Sequence, residues 1–130
     1  MRIRGTLVRG LGEAPAFTQL PWVVEQCQAK LGFAPYPGTV NLEVLPEDLL
    51  LWNELKAKPG SILTPPDPAF CDAVCHKVTI NGRLQAATIT PHVPDYPANK
   101  LELLAPVNVM ETLGLHLGQE LLLTTSKADR

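Results

Sequence analysis

At 130 residues the chain is long enough to bury one continuous core without disulfide or metal staples, and short enough to need only one domain. A net charge of -2, with basic residues scattered rather than massed, excludes the electrostatic footprint of a polynucleotide binder, so no nucleic-acid partner is expected. No charged leader precedes an apolar run and no apolar stretch is long enough for a bilayer, which excludes a membrane partner and leaves the expectation of a soluble, cytoplasmic protein.

The first expected element is a strand over Arg2 to Arg9, where Ile3, Gly5 and Leu7 alternate with Arg4, Thr6 and Val8. Gly10-Leu11-Gly12-Glu13-Ala14-Pro15 breaks it. Thr18 to Leu31 reads as a helix, with Pro21 in its first turn, Val23, Cys27 and Leu31 at i, i+4 spacing, Gly32 as its stop and Phe33 packing back on it. Pro35 and Pro37 fix their own φ and push their predecessors toward extended conformations, so Tyr36-Pro37-Gly38 is a stiff corner before the next strand. Along that strand Thr39, Asn41 and Glu43 face one way and Val40, Leu42 and Val44 the other. A row of neutral oxygens leaving a rigid corner suits a hard cation held beside a phosphate.

Pro46-Glu47-Asp48 opens one or two helical turns through Leu55, and Lys56 to Pro68, with Pro59-Gly60 and Pro65-Pro66, reads as a loop. Phe70 to Ile80 and Arg83 to Thr90 flank Asn81-Gly82, the strongest hairpin signal in the chain. Pro91 to Asn99 is irregular, Leu101 to Leu104 and Gln119 to Thr125 are strands, and Asn108 caps a short helix ending at Gly114; Ser126 to Arg130 is expected to fray. Many short strands, two brief helices and no βα alternation predict a mainly β fold closed into a small barrel.

Several segments could carry chemistry. Gly10 and Gly12 most simply permit a tight turn, but a backbone without Cβ atoms also lets amides approach phosphate oxygens. There is no Gly-x-x-x-x-Gly-Lys-Ser/Thr segment, which excludes a P-loop. Asn108 gives a second anion-compatible helix start, although most such caps are structural. Glu102, amid Leu101, Leu103 and Leu104, reads first as a solvent-facing strand residue. Cys71-x-x-x-Cys75-His76 lacks a second ligand pair at zinc spacing, and on an extended strand its cysteines stand roughly 13 Å apart, so Cys27, Cys71 and Cys75 are expected to be reduced, buried small hydrophobes. The three histidines have no partner at informative spacing.

Gly10-Leu11-Gly12-Glu13 with Phe17 beyond it, the run Leu31-Gly32-Phe33-Ala34-Pro35-Tyr36-Pro37-Gly38-Thr39-Val40-Asn41-Leu42, and Tyr96-Pro97 followed by Leu101-Glu102-Leu103-Leu104-Ala105-Pro106 come in the order and approximate spacing of one known family. Nearly end to end, the chain resembles the CTP-dependent riboflavin kinases, best known from archaea. The resemblance implies a single domain over residues 1–130, a six-stranded barrel of the cradle-loop type, without the winged-helix segment that some members carry in front. It implies transfer of the γ-phosphoryl group of CTP to the 5′-hydroxyl of riboflavin, giving FMN and CDP. By the same resemblance Mg2+ falls to Thr39 and Asn41, the nucleotide to Gly10, Leu11, Gly12 and Glu13 and to Asn108, Val109, Met110 and Glu111, and the flavin to Glu102. No general base is assigned, although Glu43 shares the face of Thr39 and Asn41.

Departures from the family pattern keep an alternative open. Pro15 brings no amide proton to the nucleotide loop, Asn108 and Met110 stand where basic residues are common, and Pro94 replaces a threonine before Tyr96. Arg9, Lys77, Arg83 and Lys100 are the cations that could compensate. The alternative is a flavin- or nucleotide-binding protein of the same fold with phosphoryl transfer lost or altered, in donor or acceptor.

Overall fold

Strand β1, Arg2–Val8, buries Ile3, Gly5 and Leu7 on one face, and that alternation repeats around a sheet that closes on itself. A computed structural model describes residues 1–10, 12 and 14–125; the expectations for Leu11, Glu13 and the frayed tail at 126–130 lie outside the described residues. The other strands are β2 (Val40–Val44), β3 (Ser61–Leu63), β4 (Ala73–Ile80), β5 (Leu84–Pro91), β6 (Lys100–Leu104) and β7 (Glu120–Thr124). Their order is β3-β4-β5-β6-β2-β1-β7, every pairing is antiparallel, and β7 returns to β4 through Thr79↔Thr124 and Ile80↔Leu123. Six strands therefore form a closed barrel, and β3 is an outrigger on β4.

Closure depends on the β4–β5 hairpin. Asn81 and Gly82 both take positive φ, 50° and 66°, the conformations that made this dipeptide legible as a turn. Asn81 also receives the Leu122 amide on its Oδ1 and donates its own amide to the Leu122 carbonyl, both at 2.8 Å, so the hairpin tip is tied to β7.

Two apolar clusters share the sheet. Inside the barrel, Ile3, Leu7, Leu42, Val44, Ile80 and Leu101 pack with neighbours of the same parity, and helix α3 (Leu49–Ala57) adds Trp52 and Leu55. Trp52 buries its indole and still donates Nε1–H to the Lys100 carbonyl at 3.1 Å, which satisfies the polar end of a large core residue. Outside, Val23, Cys27 and Leu31 of helix α2 (Pro21–Leu31) cover Leu63, Ala73, Cys75, Ala87, Ile89 and Leu104. Phe33 packs against this second cluster, as the residue pattern predicts. Among the described residues no helix is long and apolar enough to cross a membrane.

Three expectations need correction. The single helix over Thr18 to Leu31 is two, α1 (Ala14–Thr18) and α2, because Leu20 precedes Pro21 and is held extended at ψ 135°. The segment 56–68 is not all loop: it contains β3, whose Ser61–Leu63 pairs with Cys75–Ala73. Gly60 leads into that pairing because a Cβ there would stand 2.4 Å from the Cys75 carbonyl oxygen. Cys71 is exposed and precedes β4, whereas Cys27 and Cys75 are buried as expected. Burial pushes the Cys27 thiol up to about 11 and the Cys75 thiol up to about 12, so both stay protonated and inert.

An ion pair between the exposed Arg4 and the buried Asp48 anchors the 3-10 turn Pro46–Asp48 to β1. Asp48 Oδ2 accepts the Arg4 backbone amide and Arg4 Nε, each at 2.9 Å. The Arg4 hydrogen bonds outweigh the burial of the carboxylate and hold Asp48 below its ordinary 3.8. A depressed folded pKa means that this contribution is complete above the unfolded value and disappears as pH falls through the folded one. In urea unfolding, Asp48→Asn is expected to be less stable than the parent at pH 7, with the gap closing below about pH 4. A gap of constant size down to pH 2 would assign Asp48 a role independent of its charge.

Candidate functional site

Sheet register brings the first site residues together. On β2, Asn41 lies opposite Val8 of β1 on one side and Glu102 of β6 on the other. Thr39, one residue before β2, reaches across to give Glu102 Oε1 its hydroxyl proton at 3.3 Å. The other carboxylate oxygen, Oε2, accepts the Tyr96 phenol at 2.8 Å. Asn41 turns Nδ2 to the Thr39 carbonyl at 3.1 Å, which leaves its Oδ1 as an open acceptor among the described residues.

The proline corner that delivers Thr39 is fastened from three directions. The Tyr36 amide donates to the Ala105 carbonyl at 2.7 Å, Gln19 Nε2 donates to the Pro35 carbonyl at 3.3 Å, and the Gly38 amide donates to Thr18 Oγ1 at 2.9 Å. Gly38 sits at φ +99°, where a side chain would be strained. Thr18 is fully buried and passes its own hydroxyl proton to the carbonyls of Ala14 or Pro15, so α1 is locked to the corner. Nothing in the sequence marked Thr18 for this job, since its partner amide is twenty residues away.

Three cavities meet here. The first, about 380 Å³, runs from Arg9 and Gly10 past Tyr36 to Asn108, Val109 and Met110. The second, about 630 Å³, is bounded by Gly10, Gly12, Pro15, Glu43, Lys100 and Glu102. The third, about 430 Å³, is an apolar slot among Phe17, Leu20, Trp22, Phe70 and Ile89, with the Phe17 and Trp22 rings edge to face at 5.9 Å. Thr39 lies in the wall of all three, Asn41 in the first two, and Glu102 in the second and third.

Across this site the family model described as a domain of unknown function, DUF120, with the short name CTP-dep_RFKase, matches residues 7–124. The chain belongs to this family. It is similar to the riboflavin kinase of Archaeoglobus fulgidus, 33% identical over 121 residues that cover 91% of this chain and 52% of that protein. It is also similar to the riboflavin kinases of Methanocella arvoryzae (35% over 122 residues, 94% of this chain and 56% of the relative) and Methanosarcina acetivorans (28% over 130 residues, 98% and 54%). The chain spans about half the length of these curated relatives.

Within this DUF120 barrel the sequence-predicted residues distribute unevenly. Gly10, Gly12, Thr39, Asn41, Glu102, Asn108, Val109 and Met110 all line the cavities, whereas Glu111 does not. Helix α4 (Val109–Leu113) is capped as expected: Asn108 Oδ1 accepts the Glu111 amide at 3.1 Å, so that amide is already engaged within the helix. Of the four candidate cations, Arg9 and Lys100 border the cavities, while Lys77 and Arg83 border none of them. Glu102 is not a plain solvent-facing strand residue, because both its oxygens are held by hydroxyl donors. Among the described residues no group of three or more His, Cys, Asp or Glu could hold a metal ion, and the carboxylates in the wall of the second cavity are those of Glu43 and Glu102.

Proposed function

We propose that this chain is the catalytic barrel of a CTP-dependent riboflavin kinase, a single domain over residues 1–130 that converts riboflavin and CTP to FMN and CDP. The observation that carries this is the position of Thr39 at the junction of two cavities that Arg9 and Asn41 both line, with Asn108 in the first and Lys100 and Glu102 in the second, and one aromatic-lined slot. Phosphoryl transfer needs a donor triphosphate and an acceptor hydroxyl held in line, and little covalent help. The triphosphate occupies the first two cavities, between Gly10 and Gly12 on one side and Asn108, Val109 and Met110 on the other, with Arg9 and Lys100 as countercharges. The isoalloxazine ring enters the slot between Phe17, Trp22 and Phe70, and its ribityl chain runs toward Glu102.

Thr39 and Asn41 fit a magnesium ion by the chemistry of their donors: a hydroxyl whose proton is committed elsewhere, and an amide oxygen without a partner among the described residues. When bound, the ion supplies neutralisation of charge on the phosphates. The protein orients the two substrates and dries the slot, where the side chains of Phe17, Leu20, Trp22 and Ile89 exclude water from the flavin ring.

The test is FMN formation by the purified chain with riboflavin and magnesium and each of CTP, ATP, GTP and UTP in turn. FMN with CTP alone is the expected result. The second reading, a flavin- or nucleotide-binding protein with lost or altered transfer, is favoured by Pro15 in the wall of the second cavity, where it offers no amide. Tight flavin binding without FMN from any of the four nucleotides selects that reading.

A further inference from the structure

Tyr96 stands outside the three cavities and yet touches the residue that joins two of them. A threonine hydroxyl has one proton and two lone pairs, so where the proton goes decides where the lone pairs point. Thr39 gives its proton to Glu102 Oε1 over 3.3 Å, a long bond that a carboxylate free to rotate would not maintain. The opposite oxygen of the same carboxylate is held over 2.8 Å by the Tyr96 phenol, a charge-assisted contact that fixes the plane of the group. Lys100 Nζ lies 5.3 Å from the centre of the Tyr96 ring and braces it from β6.

We propose that Tyr96 is a positioning residue: by pinning Glu102 it commits the Thr39 proton to the carboxylate and turns the Thr39 lone pairs toward the divalent cation that Asn41 shares. Burial, with the negative charge and hydrogen bond of Glu102 behind it, raises the phenol above its ordinary range, so Tyr96 remains a donor wherever Glu102 is ionised. The inference rests on Thr39 and Asn41 as the cation ligands and adds a residue that neither touches the ion nor lines its cavity. Tyr96 thus acts beside Pro97 and Asn99 of the same segment between β5 and β6, which line the second cavity directly.

The test uses the full chain and the non-reacting product nucleotide CDP, whose affinity is measured by calorimetry with magnesium and again with EDTA. Tyr96→Phe keeps the ring and its contact with Lys100 and removes only the donor. It is expected to reduce the magnesium-dependent gain in CDP affinity about tenfold, the scale of a lost hydrogen bond to a charged group, with the affinity in EDTA unchanged. In a Thr39→Val background the same substitution should cost nothing further, while in Thr39→Ser, which keeps the hydroxyl, the tenfold loss should persist. Equal losses with and without magnesium, or additive losses with Thr39→Val, overturn the positioning role and assign Tyr96 to loop structure alone. A parent protein whose CDP binding ignores magnesium overturns the cation site itself, and so tells failure of the functional reading from failure of this one.

Discussion

Asn41→Ala is expected to lower magnesium-dependent FMN formation by about 100-fold, the scale on which loss of one polar contact to a reacting charge is felt. Its Oδ1 is an open acceptor among the described residues, and alanine removes it without touching the barrel. The side chain is half-buried and, among the described residues, bonds only to the carbonyl two residues back, so thermal unfolding should barely move. The loss should ease as magnesium is raised, because a missing ligand weakens the ion's hold rather than abolishing the pocket. Full turnover with the parent's magnesium dependence would remove Asn41 from the cation site and, with it, the significance given to the polar row on β2.

That row was legible because its information is local. Alternation from Gly38 to Val44 assigns faces, and two prolines set the corner, so Thr39 and Asn41 could be picked out without knowing what lay opposite. Asn81-Gly82 and Asn108 were legible for the same reason, each being a backbone geometry that one or two residues dictate. What sequence could not supply was pairing. Glu102 joins the candidate site because β6 lies beside β2, and the hydrophobic neighbours that make it look like a plain strand position say nothing of that register. Strand β3 is three residues long amid Pro and Gly and exists because β4 offers an edge. The break between α1 and α2 was in reach, since a residue before proline avoids the helical region, but the spacing of Val23, Cys27 and Leu31 favoured one continuous helix. Arg9 and Lys100 could not be separated from Lys77 and Arg83 until the barrel had an inside and an end.

Gly10→Ala should cost as much activity as Asn41→Ala, about 100-fold, by a route the sequence did not reveal. The sequence reads Gly10 first as a tight-turn residue and, by resemblance, as part of a nucleotide loop. In the structure it also accommodates a side chain: a Cβ at residue 10 would stand 2.3 Å from Asn41 Nδ2 and 2.9 Å from its Cγ. Gly10 does not have a positive φ, so alanine is tolerable to the backbone and intolerable to Asn41, which must swing its amide away from the Thr39 carbonyl. Gly12 is the contrast, with φ +82° and open space around it, so alanine there meets a conformational cost of about 1 kcal/mol and no clash. If Gly10 acts through Asn41, the double variant Gly10→Ala/Asn41→Ala should be no slower than Asn41→Ala alone, because the truncated partner leaves room for the methyl group. Multiplied losses in the double variant would show that Gly10 serves the nucleotide directly, through its own amide, and that its proximity to Asn41 is incidental to the reaction.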